Sequence, residues 1–419
     1  MARKNKREKI NTTIKSRKRL SKKTKVRIGI IVGIIGFIGS VLGIWQFFVS
    51  KQPATKKDLA AFATKADIEE LKQFIEQKRG SDSVELDGLP DKGPELRALV
   101  KNALQAEIKL KYKSAITLWQ EIIDSRDIDD LGKCSAYLQI ASLYINLFDY
   151  SNASKTAEKA ENIAVKINNN IMLAEADNLL GVVHQLIGDY STAETLYLRA
   201  LKIRENIFSK EHPIIATSLN NLALLYYYQK KYSQAEPLFQ RALKLKENAF
   251  GLDSLPVADS LNNLASLYQD QEKYTLAESF FQHALKIREK SLGPECIEVA
   301  NILQNLALLY QDQKKYALAL SFYQRALKIK EKILGSDHPN VAELLNNFAL
   351  FYQDQGKYTQ AEPLYYRALV IEEKVLGRNH PKEAPILENM ARLYKALGQN
   401  EKAKELANRA KQIRSQQKY

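Results

Sequence analysis

The chain has 419 residues, and its 63 Lys and Arg against 48 Asp and Glu give a formal net charge of +15. Residues 1–27 hold 13 of these cations and one acid, which leaves 50 cations and 47 acids in the rest of the chain. The remainder is nearly neutral, so nucleic acid is not an expected partner. With two cysteines and five histidines the chain also lacks the raw material for a metal cluster, and we expect no metal or cofactor.

The first predicted element is a transmembrane helix. Residues 28–49 contain no charged side chain, and 22 positions suffice to span a bilayer as a helix. The basic residues 1–27 then predict a cytoplasmic tail, with the rest of the chain on the opposite face. Residues 1–49 are therefore the part that would contact membrane lipid. A cleaved signal peptide and a buried soluble helix are the alternatives, but the basic region and the apolar run are both long for a signal peptide.

Two pairs of small residues within this segment, Gly29 with Gly33 and Gly39 with Gly43, have the spacing of helix-dimer faces, so a homo-oligomer is one alternative. Residues 50–94 follow as a predicted amphipathic helical stalk and flexible linker. Apolar positions among charges in residues 55–78 indicate a stalk, a short coiled coil or a helix folded back on the array. Residues 79–94 are turn-rich and polar, as linkers are.

A 42-residue period dominates the second half of the chain. Asparagine, alanine and tyrosine each recur at this step, and self-similarity at such a period is typical of a solenoid of stacked repeats. The series are Asn221, Asn263, Asn305, Asn347 and Asn389; Ala223, Ala265, Ala307, Ala349 and Ala391; Tyr226, Tyr268, Tyr310, Tyr352 and Tyr394.

Each repeat is predicted to contain two helices. Helical spacing of Leu219, Leu222 and Tyr226 marks the first helix, and a capping box of Ser233 with Glu236 predicts the start of the second. Pro237 is assigned to the first turn of that helix, and the repeated glycine after it to a left-handed helix end. Histidines that precede a proline at one repeat position are assigned to the turn rather than to a reaction. They are His212, His338 and His380.

One repeat resembles a tetratricopeptide repeat in its pattern of small and large residues. The pattern consists of Leu222-Ala223 with Tyr226, then Tyr232 with Ala235, and then Ala242-Leu243. The period and the His-Pro step are similar to the repeats of kinesin light chains and their bacterial relatives. The resemblance is close over residues 173–376 and implies an all-α, right-handed superhelical solenoid of about eight helix pairs. We assign residues 95–414 to this array and 415–419 to a C-terminal tail.

The same resemblance implies a concave peptide-binding groove. The five asparagines listed above, here called the asparagine ladder, resemble those that clamp a peptide backbone, since an amide both donates and accepts. The alternative is that each asparagine bonds a neighbouring helix, and both roles are compatible. Around the ladder we expect an acid row for a neutral or basic ligand, an aromatic anchor, and two cations that reverse the sign at the last repeat. These are Asp270, Asp312 and Asp354; Tyr227 and Tyr228; Arg392 and Lys395.

Together these features predict a membrane-anchored scaffold that binds an extended peptide segment of a partner protein. No phosphate loop, nucleophile elbow or H-E-x-x-H helix is found in the sequence, so we predict no catalytic residue and no enzyme. A self-assembling structural membrane protein is the alternative, and an enzyme with an unrecognised site is the more remote one.

Overall fold

The computed structural model describes residues 94–108, 111–126 and 128–416. The predicted tail, transmembrane segment and stalk lie outside the described residues. Among the described helices, none combines the length and the apolar character that crossing a bilayer requires.

The described residues form 16 α-helices in eight consecutive pairs, which confirms the predicted all-α repeat array. In chain order the helices are α1 (Pro94–Ile108), α2 (Tyr112–Asp124), α3 (Asp130–Asn146), α4 (Tyr150–Lys166), α5 (Asn170–Ile187), α6 (Tyr190–Ile207), α7 (Pro213–Tyr228), α8 (Tyr232–Phe250), α9 (Leu255–Asp270), α10 (Tyr274–Leu292), α11 (Ile297–Asp312), α12 (Tyr316–Leu334), α13 (Pro339–Asp354), α14 (Tyr358–Leu376), α15 (Glu383–Ala396) and α16 (Asn400–Gln416).

The chain divides into two compact units, one ending at Gln229 and the other beginning at Lys230. Within each unit, small and large side chains alternate in the core. Ala307 and Tyr323, for example, are both fully buried, in α11 and α12. The last helix, α16, buries only a few residues such as Ala410 and Ile413 and is otherwise polar, as the end of a solenoid requires.

The predicted capping box is wrong. Helix α8 begins at Tyr232, its N-cap is Lys231, and no side chain of the described residues caps it. Ser233 therefore lies inside the helix, and Glu236 is free to bond elsewhere. Pro237 is also deeper than predicted, since it is the sixth residue of α8 rather than part of its first turn. At that depth the proline removes one interior hydrogen bond, to the carbonyl of Ser233.

The prediction that the repeated histidines serve the turn is confirmed. Nδ1 of His212 accepts the backbone N–H of Ile214 at 3.2 Å, and Nδ1 of His338 accepts that of Asn340 at 3.0 Å. His380 accepts the N–H of Lys382 in the same way. His212 and His338 are the N-caps of α7 and α13, whereas His380 lies in the turn before Lys382, the N-cap of α15; an imidazole that accepts at Nδ1 is neutral. Burial lowers the pKa of all three, and that of His380 to about 4.

The glycine that ends α8, α10, α12 and α14 has a positive φ, as predicted, but not the left-handed helical conformation. At Gly335, φ is 85° and ψ is 158°, a region that only glycine occupies at little cost. The turn between the two helices of a repeat also has one residue at positive φ. It is glycine at Gly356 (φ 74°) but lysine at Lys314 (φ 61°).

Lys314→Gly should therefore stabilise the protein by about 0.5–1 kcal/mol, since it removes the strain of a side chain at positive φ. Thermal unfolding of the full-length chain would measure the gain. The matched control is Lys315→Gly, at φ −82°, which should destabilise the protein. Equal effects of the two changes would contradict the assignment of strain to Lys314.

Candidate functional site

The asparagine ladder lies on the first helices of the repeats, but it is less open than predicted. Asn263 is half-buried, and the other four ladder asparagines are at most 8% exposed. Two of them bond the preceding repeat: the amide of Asn305 donates to Oδ1 of Asn262, and that of Asn389 to Oδ1 of Asn346, each at 2.8 Å. At these two rungs the ladder ties neighbouring first helices together.

One rung between them is built differently. The position that Asn262 and Asn346 occupy is Gln304 in the intervening repeat, and the buried amine of Lys330 donates to Oε1 of Gln304 at 2.9 Å. Neither amide atom of Asn347 has a hydrogen-bond partner among the described residues, although this side chain is 1% exposed. Lys330 therefore occupies the side-chain oxygen of Gln304, whereas the corresponding oxygens of Asn262 and Asn346 accept from ladder asparagines.

The acid row is held in place by glutamines. Nε2 of Gln269 donates to Oδ2 of Asp312 at 2.7 Å, and Nε2 of Gln311 donates to Oδ2 of Asp354 at 2.8 Å. Gln311 is itself fixed, because its Oε1 accepts the hydroxyl of Tyr323 at 3.0 Å. Asp354 is exposed and Asp312 half-buried, so these two residues are oriented carboxylates at the same position of consecutive repeats.

The other predicted site residues divide by burial. Tyr227, in the first compact unit, is only 2% exposed, so the prediction that it serves as an accessible anchor is wrong. Tyr228 is half-buried and packs edge-on against Tyr227 at 5.4 Å. In the last repeat Lys395 is exposed, whereas Arg392 is half-buried and bonds Oδ1 of Asn389.

A further clasp between repeats uses the glutamates at the repeat position of Glu236, the residue that was assigned to a capping box. The hydroxyl of Tyr310 donates to Oε1 of Glu278 in the preceding repeat at 2.8 Å, and burial together with this carboxylate raises the pKa of Tyr310 to about 12. Three other repeats make the same bond, namely Tyr226 with Glu194, Tyr268 with Glu236, and Tyr394 with Glu362. The 42-residue recurrence of both residue types was the signal for this pairing.

Tyr310→Phe should cost about 0.5–1.5 kcal/mol, the net value of one hydrogen bond, in thermal unfolding of the full-length chain. The repeat that carries Leu320 in place of the glutamate supplies the matched control. Tyr352→Phe, in the next repeat, loses no such bond and should be nearly neutral. Equal losses at Tyr310 and Tyr352 would show that the clasp adds nothing to stability.

Within the described chain, no group of three or more His, Cys, Asp or Glu side chains could hold a metal ion. Cys134 and Cys296 are not joined in a disulfide. What the structure presents is a series of regularly spaced polar side chains on stacked helix pairs. This arrangement defines a helical-repeat scaffold.

Comparison with models of known protein families identifies the family of this chain. A tetratricopeptide repeat model matches more than half of the chain, and two further tetratricopeptide repeat models match parts of it, so the chain belongs to the tetratricopeptide repeat family. The matches cover residues 172–248, 256–332, 298–350 and 340–416 for the first model and residues 220–291 and 135–164 for the others. No curated protein matched the chain.

Three solved structures illustrate the likeness. BtubC (BKLC) from P. vanneervenii is 27% identical over 54% of this chain and 91% of its own, with a TM-score of 0.45. Kinesin light chain TPR-like repeats from Podosopora anserina are 22% identical over 48% and 94%, with a TM-score of 0.40. A Rap protein complexed with Competence and Sporulation Factor is 17% identical over 86% and 97%, with a TM-score of 0.56, a likeness of fold alone.

Proposed function

We propose that this chain is a binding scaffold rather than an enzyme, and that its second compact unit holds an extended, neutral or basic segment of a partner protein along the acid row. One observation carries the proposal: the carboxylates of Asp312 and Asp354 are held by Gln269 and Gln311 before any ligand arrives. Charged groups that are fixed in advance lose little entropy on binding and select ligands by charge. Competence and Sporulation Factor is a ligand of the Rap protein. For this chain, the acid row is what supports binding of a neutral or basic segment.

The geometry also sets the spacing of the ligand. Consecutive first helices are neighbours, because the side chains of Asn262 and Asn305 meet directly. Packed helix axes lie about 8–10 Å apart. A ligand in the extended polyproline II conformation advances about 3.1 Å per residue with three residues per turn, so roughly three ligand residues correspond to one repeat and every third side chain lies on the same face. We therefore expect cationic side chains at every third position of the bound segment to match Asp270, Asp312 and Asp354.

The asparagine ladder would supply the contacts to the ligand backbone. Asn263 is the rung with a partly exposed side chain, and it lies two turns before Asp270 on the same helix. Asn305 and Asn389 already bond Asn262 and Asn346, so their contribution to binding is to fix the spacing of the repeats. The backbone clamp of the proposal thus centres on Asn263.

Synthetic peptides test this directly against the full-length chain. Seven-residue peptides with lysine at positions 1, 4 and 7 of an alanine–serine sequence should bind better than peptides of the same composition with lysine at positions 1, 3 and 5. Peptides with glutamate in place of lysine should not bind. Fluorescence anisotropy of labelled peptides at two salt concentrations would measure the affinities. Equal binding of both lysine spacings, or better binding of the glutamate peptide, would overturn the proposal.

We further propose that residues 28–49 anchor this scaffold in a membrane, with residues 1–27 in the cytoplasm. The support is the charge-free run of 22 residues that follows thirteen cations. Protease added to intact spheroplasts should then digest the repeats. If the repeats resisted the protease until the cells were lysed, the orientation would be the reverse of the one proposed. If the full-length chain stayed in the supernatant when membranes were sedimented, it would not be membrane-anchored.

A further inference from the structure

One charged position recurs inside the array. On the second helix of each of the last six repeats, the same register holds a cation in five repeats and an acid in one. The residues are Arg204, Lys246, Arg288, Lys330, Glu372 and Arg414. Arg204, Arg288, Lys330 and Glu372 are at most 6% exposed. Ionisable side chains this deeply buried need a partner or must lose their charge.

In two repeats the partner is an acid 29 residues earlier, on the first helix of the same pair. Arg204 donates to Oε1 of Glu175 at 2.6 Å, and Arg288 forms an ion pair with Asp259. The same step from Glu372 leads to Glu343. The register that holds a cation and an acid in those repeats therefore holds two acids here.

Both acids have an oxygen that no other group satisfies. Oε2 of Glu372 and Oε1 of Glu343 are buried and accept no hydrogen bond from the described residues. Glu372 as a whole is only 2% exposed. The charge of Glu343 opposes ionisation of the buried Glu372, so the carboxyl group of Glu372 binds a proton more tightly.

The surrounding charges offset this effect only in part. Lys382, just before α15, favours the ionised form of Glu372, whereas Glu343 on α13 and Glu383 on α15 oppose it. Glu383 is paired with Arg409 of α16, and the amine of Lys330 on α12 is bound to Gln304 and also attracts the charge of Glu343. Burial is the largest cause and, with the two acids, raises the pKa of Glu372 to about 7. The nearby histidines, His338 and His380, have lowered pKa values.

We propose that Glu372 is a proton-binding site, at which a neutral carboxyl group facing Glu343 holds α13, α14 and α15 together and an ionised one loosens them. The direction follows from linkage. Glu372 takes up its proton at a higher pH in the folded chain than in the unfolded chain, where its pKa is about 4.5. The stabilising effect is complete below that value and is lost as the pH rises through about 7.

Hydrogen exchange of the full-length chain tests the site. Between pH 5.5 and 7.5, protection of the α14 and α15 amides, corrected for intrinsic exchange, should fall by roughly twentyfold as Glu372 ionises. Amides of α9 and α10, around Arg288 and Asp259, are the internal control and should change little. Titration of His338 or of Lys330, whose pKa is lowered to about 8, would act in the opposite direction.

Two variants separate the proton from mere packing. Glu372→Gln cannot ionise, so protection of α14 and α15 should no longer depend on pH and should exceed that of the unaltered chain at pH 7.5. Glu372→Arg should pair with Glu343 as Arg288 pairs with Asp259, again without pH dependence. If this arginine variant does not fold, the glutamine variant alone decides.

Lys330→Arg keeps a permanent charge at the neighbouring position and should leave the pH effect in place. The proposal is overturned if the unaltered chain protects α14 and α15 equally at both pH values, or if Glu372→Gln retains the fall. It does not depend on ligand binding, so its failure would leave the proposed function untouched.

Discussion

Replacing Asp312 and Asp354 together by lysine is expected to weaken binding of the peptide with lysine at every third position by roughly a hundredfold. Each reversal removes an attraction and adds a repulsion, and the two effects together are worth more than a single surface ion pair. The loss should be largest at low salt, because exposed charges are screened within about 10 Å at 0.1 M salt. Fluorescence anisotropy across a salt series would measure it.

Asp337→Lys is the matched control. Asp337 is an exposed acid that forms an ion pair with Lys374, away from the acid row. The substitution Asp337→Lys changes the net charge of the chain by the same amount per site as the acid-row substitutions but should leave peptide affinity nearly unchanged. Conversely, Asp312→Asn with Asp354→Asn should give an intermediate loss, because the glutamines keep an oxygen to bond. If the Asp337 variant and the acid-row variant lost equal peptide affinity, the net charge of the chain and not the acid row would account for the effect.

Gly181→Ala should destabilise the first compact unit by about 1–3 kcal/mol, although alanine favours helices over glycine. A Cβ atom at Gly181, within α5, would lie 2.5 Å from Cε1 of Tyr197, whose ring is 1% exposed and cannot move aside freely. The Tyr197 hydroxyl also donates to Gln185 at 3.1 Å, and a displaced ring would strain this bond. Thermal unfolding of the full-length chain would measure the loss.

The later repeats explain why this test is specific. Alanine occupies the equivalent position at Ala307, where it packs in a repeat whose core tyrosine is Tyr323. Ala307→Gly should therefore cost about 1 kcal/mol, from helix propensity. Tyr197→Leu should relieve the clash and make Gly181→Ala nearly neutral. If Gly181→Ala destabilised the Tyr197→Leu variant as much as the native chain, the close approach of the tyrosine would not be the cause.

Much of the array follows from the sequence. The 42-residue recurrence of asparagine, alanine and tyrosine is a local property of the chain, and it predicts helix pairs because each repeat has one buried face. The turn role of His212, His338 and His380 follows from the same recurrence before proline, since a cap needs only the residues beside it. Both predictions are confirmed by the structure.

The partners of the polar side chains depend on tertiary structure. Ser233 with Glu236 has the spacing of a capping box, yet α8 begins at Tyr232 and Glu236 bonds Tyr268 in the next repeat. The sequence pattern predicts Tyr227 as part of an accessible aromatic anchor, but packing buries it. A helical wheel treats one helix at a time, so it cannot show what a neighbouring helix covers.

The sequence by itself determined the repeat family, the number of helix pairs and the turn role of the repeated histidines, because these depend on spacing within one repeat. Only the tertiary structure decided which asparagines bond each other, which glutamines hold Asp312 and Asp354, and that burial and Glu343 oppose the ionisation of Glu372. Those contacts join residues 29 to 43 positions apart. Their geometry depends on how helices stack, and a free carboxylate and a bonded one have the same letter in the sequence.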